Sequence, residues 1–259
     1  MKSIIKKIIA LTNYQLVLKS KISRKEDSSN RTMKSALLHI LNLQYKANCI
    51  VDVGAGSGTQ PLLEVFPNAE YILIEPLIEF FPQLEALKEK YNVKKIIIAA
   101  AGTEFNDLVI NVHPDLYGSS LLQENEGSNA DGIPRKIKMI QLKDEIAHLN
   151  NKLNNILKVD VQGSELNVLK SAGEFLHLFD VIILEVSFFN FQKSSPEFSD
   201  VISFMNLNDY VIYDMFDFNV RPLDNALAQV DILFVKRNGM FRRSHNYAYF
   251  ETRAKMNNV

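Results

Sequence analysis

Short apolar runs alternate along the chain with stretches in which apolar residues recur at helical spacing. Residues 33–43 carry the helical period, 49–53 form an apolar run that ends in a glycine-rich loop, and 60–66 turn helical again. A strand over 70–74, a helix over 77–90 behind Pro76 and a strand over 94–99 continue the series. Strands and helices joined by short connections predict parallel strands covered by helices on both faces, with right-handed crossovers.

The rhythm changes between 105 and 142, where strands at 108–112 and 136–140 flank a glycine- and asparagine-rich stretch over 114–134. A connection of that length predicts a loop that is functional or mobile. The series then resumes with a strand at 156–161, a helix at 165–171 and a strongly apolar strand at 181–186. Two last strands, 210–213 and 230–235, have no predicted helix between them, so they are expected to pair antiparallel at one edge, beside 181–186. The expected fold is α/β, a mostly parallel seven-stranded sheet with an antiparallel C-terminal strand pair.

Polar, turn-like residues over 28–32 predict a boundary, dividing the chain into an appendage (1–32), a main domain (33–237) and a basic C-terminal tail (238–259). Up to Lys25 the appendage has lysines and Arg24 but no acid, with Ile4, Ile5, Ile8, Ile9 and Leu11 on one helical face. Asn13, Tyr14 and Gln15 interrupt any signal-like core, and the apolar stretch is too short to span a bilayer. A basic amphipathic helix docked on the domain or on a second subunit is expected, with a membrane-surface helix as the alternative. A homo-oligomer is therefore an option, and stable membrane insertion is not expected.

Composition narrows the function classes. Against 30 acidic residues stand 29 Lys and Arg, a net charge of -1, which supplies no field to draw in a nucleic acid. An Asn-Pro-Pro-Tyr base-flipping motif is also lacking. The single cysteine, Cys49, sits in an apolar run and can form no intramolecular disulfide, which fits a cytoplasmic setting. The five histidines are too scattered to suggest a structural zinc site.

Three segments carry candidate chemistry. The first is Asp52-Val53-Gly54-Ala55-Gly56-Ser57-Gly58, whose glycines let the backbone approach a ligand, or merely turn tightly. Thr59 stands where a dinucleotide fingerprint would have its third glycine. The second is Glu75, ending the next strand, where a carboxylate can accept both hydrogen bonds of a ribose diol. The third is Asp160, between an apolar strand and Gln162-Gly163-Ser164-Glu165. Ligands of open α/β sheets bind outside the carboxyl ends of the strands, so Asp160 should face the crevice of the loop and Glu75, unless it only caps the following helix. Glu185, ending the next strand, is a weaker candidate of the same kind.

From Ile50 to about Val235 the sequence resembles the FkbM family of methyltransferases. The resemblance is carried by Val51-Asp52-Val53-Gly54-Ala55, Glu75-Pro76, Ser119-Ser120-Leu121-Leu122, the run from Lys158 to Leu166, and Leu184-Glu185-Val186. It implies a Rossmann-like class I fold and an S-adenosylmethionine (SAM)-dependent O-methyltransferase acting on sugars, polysaccharide precursors or secondary metabolites. Carried over by position, Asp52, Gly54, Ala55, Gly56, Gly58, Glu75, Pro76 and Ser120 would contact the cofactor, Glu75 at its ribose, and Asp160 would lie at the reacting end. The chain departs from the family at Gly56, where asparagine is usual, and at Gln162, where glutamate is frequent. Asp160, then Glu185, then His113 are the candidates to take the acceptor's proton. Asp160 could instead hold a hard cation such as magnesium. The rival functions are an NAD-dependent oxidoreductase and a catalytically silent nucleotide-binding module.

Overall fold

A computed structural model describes residues 31–104, 108–127, 130–151 and 153–256. The predicted helix of the appendage lies outside the described residues. Helix α1 (Met33–Asn42) starts on a capping box: Thr32 Oγ1 accepts from Ser35 N–H, and Ser35 Oγ accepts from Thr32 N–H.

The sheet has seven strands in the order β10-β11-β9-β8-β1-β2-β3. Its parallel part comprises β1 (Cys49–Val53), β2 (Glu70–Ile74), β3 (Asn92–Ile97), β8 (Asn155–Val159) and β9 (Val181–Ser187). Strands β10 (Tyr210–Val220) and β11 (Leu227–Lys236) form an antiparallel hairpin, and β11 also runs antiparallel to β9. The expected fold class and its antiparallel closing pair are therefore what the chain adopts.

Alternate residues of the central strands enter opposite layers, as the pleat requires. Ile50, Leu73, Ile156 and Ile183 pack with α1, with α2 (Gln60–Val65) and with α3 (Phe81–Leu87). Val51, Ile72, Leu157 and Ile182 pack with α4 (Leu142–Ile146), with α5 (Glu165–Ala172) and with α6 (Phe198–Leu207). A strand covered on both faces reads as one apolar run, which is why β1 and β8 are buried at every position.

Several elements differ from expectation. The helix over 77–90 is a 3-10 turn (Ile78–Phe80) followed by α3, because Pro82 has no N–H to continue the first turn and so starts a new helix. The strand over 136–140 is two: β6 (Ile133–Ile137) pairs antiparallel with β5 (Leu108–Val112), and β7 (Met139–Ile140) pairs parallel with β4 (Ala100–Ala101). Past residue 237, the ring of Phe241 lies 5.4 Å from Tyr45 and 5.2 Å from Tyr213, and α7 (Phe250–Met256) follows. No helix among the described residues is long and apolar enough to cross a membrane.

Candidate functional site

Strands β1, β2, β8 and β9 end side by side, and each delivers a polar residue to that edge. The loop after β1 turns back at once: Gly54 N–H and Ala55 N–H both donate to the carbonyl of Ile74 at the end of β2. Gly54 has φ +73°, and a Cβ there would stand 1.8 Å from the carbonyl oxygen of Asp160. No other residue type fits, so the loop lies directly on the end of β8.

Glu75 follows β2 and is buried. Its Oε2 accepts from Gly56 N–H and its Oε1 from Leu77 N–H, each at 2.8 Å. Burial raises its pKa and the two N–H bonds work against that rise. A carboxylate has about four lone-pair sites, so both oxygens can accept again from a ligand.

Below the loop lies a buried ionic pair of strands. Lys158 Nζ donates to the Gly54 carbonyl at 3.2 Å and stands 3.3 Å from Asp160 Oδ2 and 3.6 Å from Asp52 Oδ1. Burial pulls the Lys158 pKa down, but Asp160 and Asp52 outweigh it and hold the value above the ordinary one, so Lys158 is an ammonium. Asp52 is pushed up by burial and pulled back chiefly by Lys158.

Asp160 and Glu185 are joined by Gln162. The Gln162 backbone is left-handed, φ +54°, and its Nε2 donates to Asp160 Oδ1 at 3.0 Å and to Glu185 Oε2 at 2.9 Å. Gln229 Nε2 donates to the same Glu185 oxygen at 2.9 Å. Asp231 sits opposite Glu185 in the β11–β9 register. Burial, then the charges of Asp160, Asp231 and Glu165, push Glu185 up to about 9, and burial with Asp160 pushes Asp231 to about 7. Glu165, at the start of α5, is raised to about 7 by burial and accepts N–H bonds from Val161 and Gly163.

The Glu185 shift makes a pH prediction. The folded protein keeps a proton that the unfolded chain releases near 4.5, so this contribution to stability is whole below 4.5 and is lost as pH rises to about 9. Glu165 and Asp231 act with the same sign. Thermal melting is expected to shift downward across that window, and Glu185→Gln is expected to flatten the slope. A wild-type melting temperature that climbs steadily from pH 5 to 9, on the order of several degrees, contradicts the assignment.

Glu75, Asp160, Gln162 and Glu185 open on one cavity of about 290 Å³. Of the residues singled out in the sequence, Gly54, Gly56, Glu75, Pro76, Asp160 and Glu185 line it. Asp52 and Ala55 lie buried beneath the loop, and Gly58 faces Leu87. Ser120 acts as a tie: its Oγ donates to the Gln162 carbonyl at 2.7 Å and accepts from Leu122 N–H. His113 is not brought to the cavity wall and has its Nδ1 3.0 Å from Asp115 Oδ1.

The magnesium expectation at Asp160 finds no support in the donor set. Among the described residues no group of three or more His, Cys, Asp or Glu side chains could hold a metal ion. The two Asp160 oxygens already face the Lys158 ammonium and the Gln162 amide, so a cation would meet a fixed positive charge.

Sequence reasoning missed Lys158, Gln229 and Asp231. A signal existed for Lys158, since a lone charge in an otherwise apolar strand demands a buried partner. For Gln229 and Asp231 none existed, because their place depends on the register of β11 on β9.

The model of the methyltransferase FkbM domain matches residues 52–212, more than half of the chain. The chain belongs to the FkbM methyltransferase family. The matched span contains both the glycine loop and the ends of β8 and β9, so the cavity described above is the family domain's own. A curated relative, Methyltransferase 1 of Beauveria bassiana, is 27% identical over 158 residues; the match covers 53% of this chain and 64% of that protein's length. Among solved structures, a SAM-dependent methyltransferase from Leishmania major is 13% identical over 76% of this chain and 69% of its own, with a TM-score of 0.43. Magnesium protoporphyrin IX methyltransferase from Synechocystis PCC 6803, solved with bound SAM, is 12% identical over 78% of this chain and 76% of its own, with a TM-score of 0.40.

Proposed function

We propose that this FkbM-family chain transfers the methyl group of SAM to a hydroxyl of a small-molecule or glycan acceptor, such as a sugar, a polysaccharide precursor or a secondary metabolite. The observation that carries the proposal is the lining of the cavity: the carboxyl groups of Glu75, Asp160 and Glu185 meet there, and among the described residues no lysine or arginine lines it. A sulfonium cation is welcome there, whereas the pyrophosphate of NAD would meet carboxyl groups instead of donors.

In this reading the glycine loop admits the methionyl part and Glu75 accepts from the ribose hydroxyls. SAM supplies a methyl group on a leaving group that is already activated. What remains for the chain is to orient the acceptor, exclude water and receive a proton. The new O–C bond forms as the S–C bond breaks, and the hydroxyl proton passes to Asp160. Glu185, protonated at neutral pH with its value near 9, is the poorer base and the better hydrogen-bond donor.

Glu75→Ala is expected to cost about 1.5 to 3 kcal/mol of SAM affinity, the range for hydrogen bonds to a charged group. Calorimetry checks it, and an unchanged dissociation constant would remove Glu75 from the site. The activity itself is tested with methyl-labelled SAM and a panel of sugar and polyketide hydroxyls. Label recovered on oxygen supports the proposal; label recovered only on nitrogen or carbon overturns it.

A further inference from the structure

Between β5 and the cavity wall, residues 113–119 form a hook. Leu116 N–H donates to the His113 carbonyl at 2.9 Å, Gly118 N–H to Asp115 Oδ1 at 2.9 Å, and His113 N–H to Ser119 Oγ at 3.0 Å. Its base is fixed, because Ser120 and Asn111 exchange backbone hydrogen bonds while Ser120 Oγ holds the Gln162 carbonyl.

The hook carries Tyr117 across the mouth of the cavity onto the glycine loop. The tyrosine ring lies 5.1 Å from the Phe80 ring, and its hydroxyl is 3.3 Å from Ser57 Oγ. Gly56, at φ +52°, leaves room for it: a Cβ there would approach the ring to 3.1 Å. Tyr117 is nonetheless 63% exposed, so it adds little to the core. An aromatic ring that lines the cavity, touches two of its walls and takes no part in the fold's interior has the geometry of a cover.

We propose that Tyr117 is a positioning residue that covers the glycine-loop end of the cavity and slows release of the cofactor. The inference rests on the proposed use of that loop for SAM. By closing the mouth, the ring shields the cofactor from water, and the contact with Ser57 latches the hook to the loop.

The test uses the full chain with S-adenosylhomocysteine as probe, measuring the dissociation constant, the dissociation rate and the melting temperature without ligand. Tyr117→Ala is expected to weaken binding about tenfold, mostly through a faster dissociation rate, and to leave the ligand-free melting temperature unchanged. Tyr117→Phe, which keeps the ring and loses the latch, is expected to fall between the two. Wild-type affinity and dissociation rate in Tyr117→Ala overturn the inference, as does a ligand-free melting temperature that drops in both variants, which would make the ring structural. A wild-type chain that binds neither SAM nor S-adenosylhomocysteine overturns the proposed function, and the cover with it.

Discussion

Asp160→Asn is expected to give a folded protein that binds SAM nearly as well as the wild type and methylates its acceptor at least ~100-fold more slowly. Asparagine keeps the shape of the side chain, and its carbonyl oxygen can still accept from Gln162 Nε2, now 3.0 Å from Asp160 Oδ1. What it loses is the capacity to take a proton. No neighbour replaces that capacity: Glu185 already carries a proton at neutral pH, and His113 does not line the cavity. A wild-type rate in Asp160→Asn would reduce the carboxylate to a structural group and make Glu185→Ala the next variant to assay.

The second large effect is on stability. Lys158→Met is expected to cost about 3–5 kcal/mol, the range for breaking a buried ion pair from one side. Lys158 and Asp52 are 5% and 1% exposed, and among the described residues Thr59 is the hydrogen-bond donor to Asp52, its N–H at 3.3 Å. Without the ammonium, Asp52 would be a buried charge opposite nothing, and Asp160 would lose its cation as well. The loss is a large share of the ~5–15 kcal/mol that holds a typical domain together. Adding Asp52→Asn removes the orphaned charge, so the double variant is expected to recover part of the loss. Denaturant unfolding checks both, and a loss below about 1 kcal/mol in Lys158→Met would mean that the ion pair contributes little.

The residues that were legible in the sequence are those whose meaning is local. Glu75 and Asp160 could be found because each follows an apolar run, and the end of a parallel strand is where such sheets bind. The antiparallel edge was legible because the 213–230 connection carries no helical period, and β10 and β11 do form a hairpin. Helix α6 was missed although its signal was present: Glu197 and Asp200 make reciprocal capping bonds, and Val201 and Met205 are buried four residues apart. The joined carboxylates were not legible. That Gln162 reaches both Asp160 and Glu185 depends on a left-handed backbone and on the packing of β8 against β9, and no spacing along the chain encodes that distance. Ser120 shows the converse, since its segment carried the family resemblance while its hydroxyl is spent on the Gln162 carbonyl.

In the proposed function the loop from Gly54 to Gly58, with Glu75, takes SAM and not a dinucleotide. Calorimetric titration of the wild-type chain with SAM, and separately with NAD, tests it most directly. The expected result is one SAM bound per chain, binding that weakens in Glu75→Ala, and no heat from NAD; saturable NAD binding that excludes SAM would contradict the claim and revive the oxidoreductase.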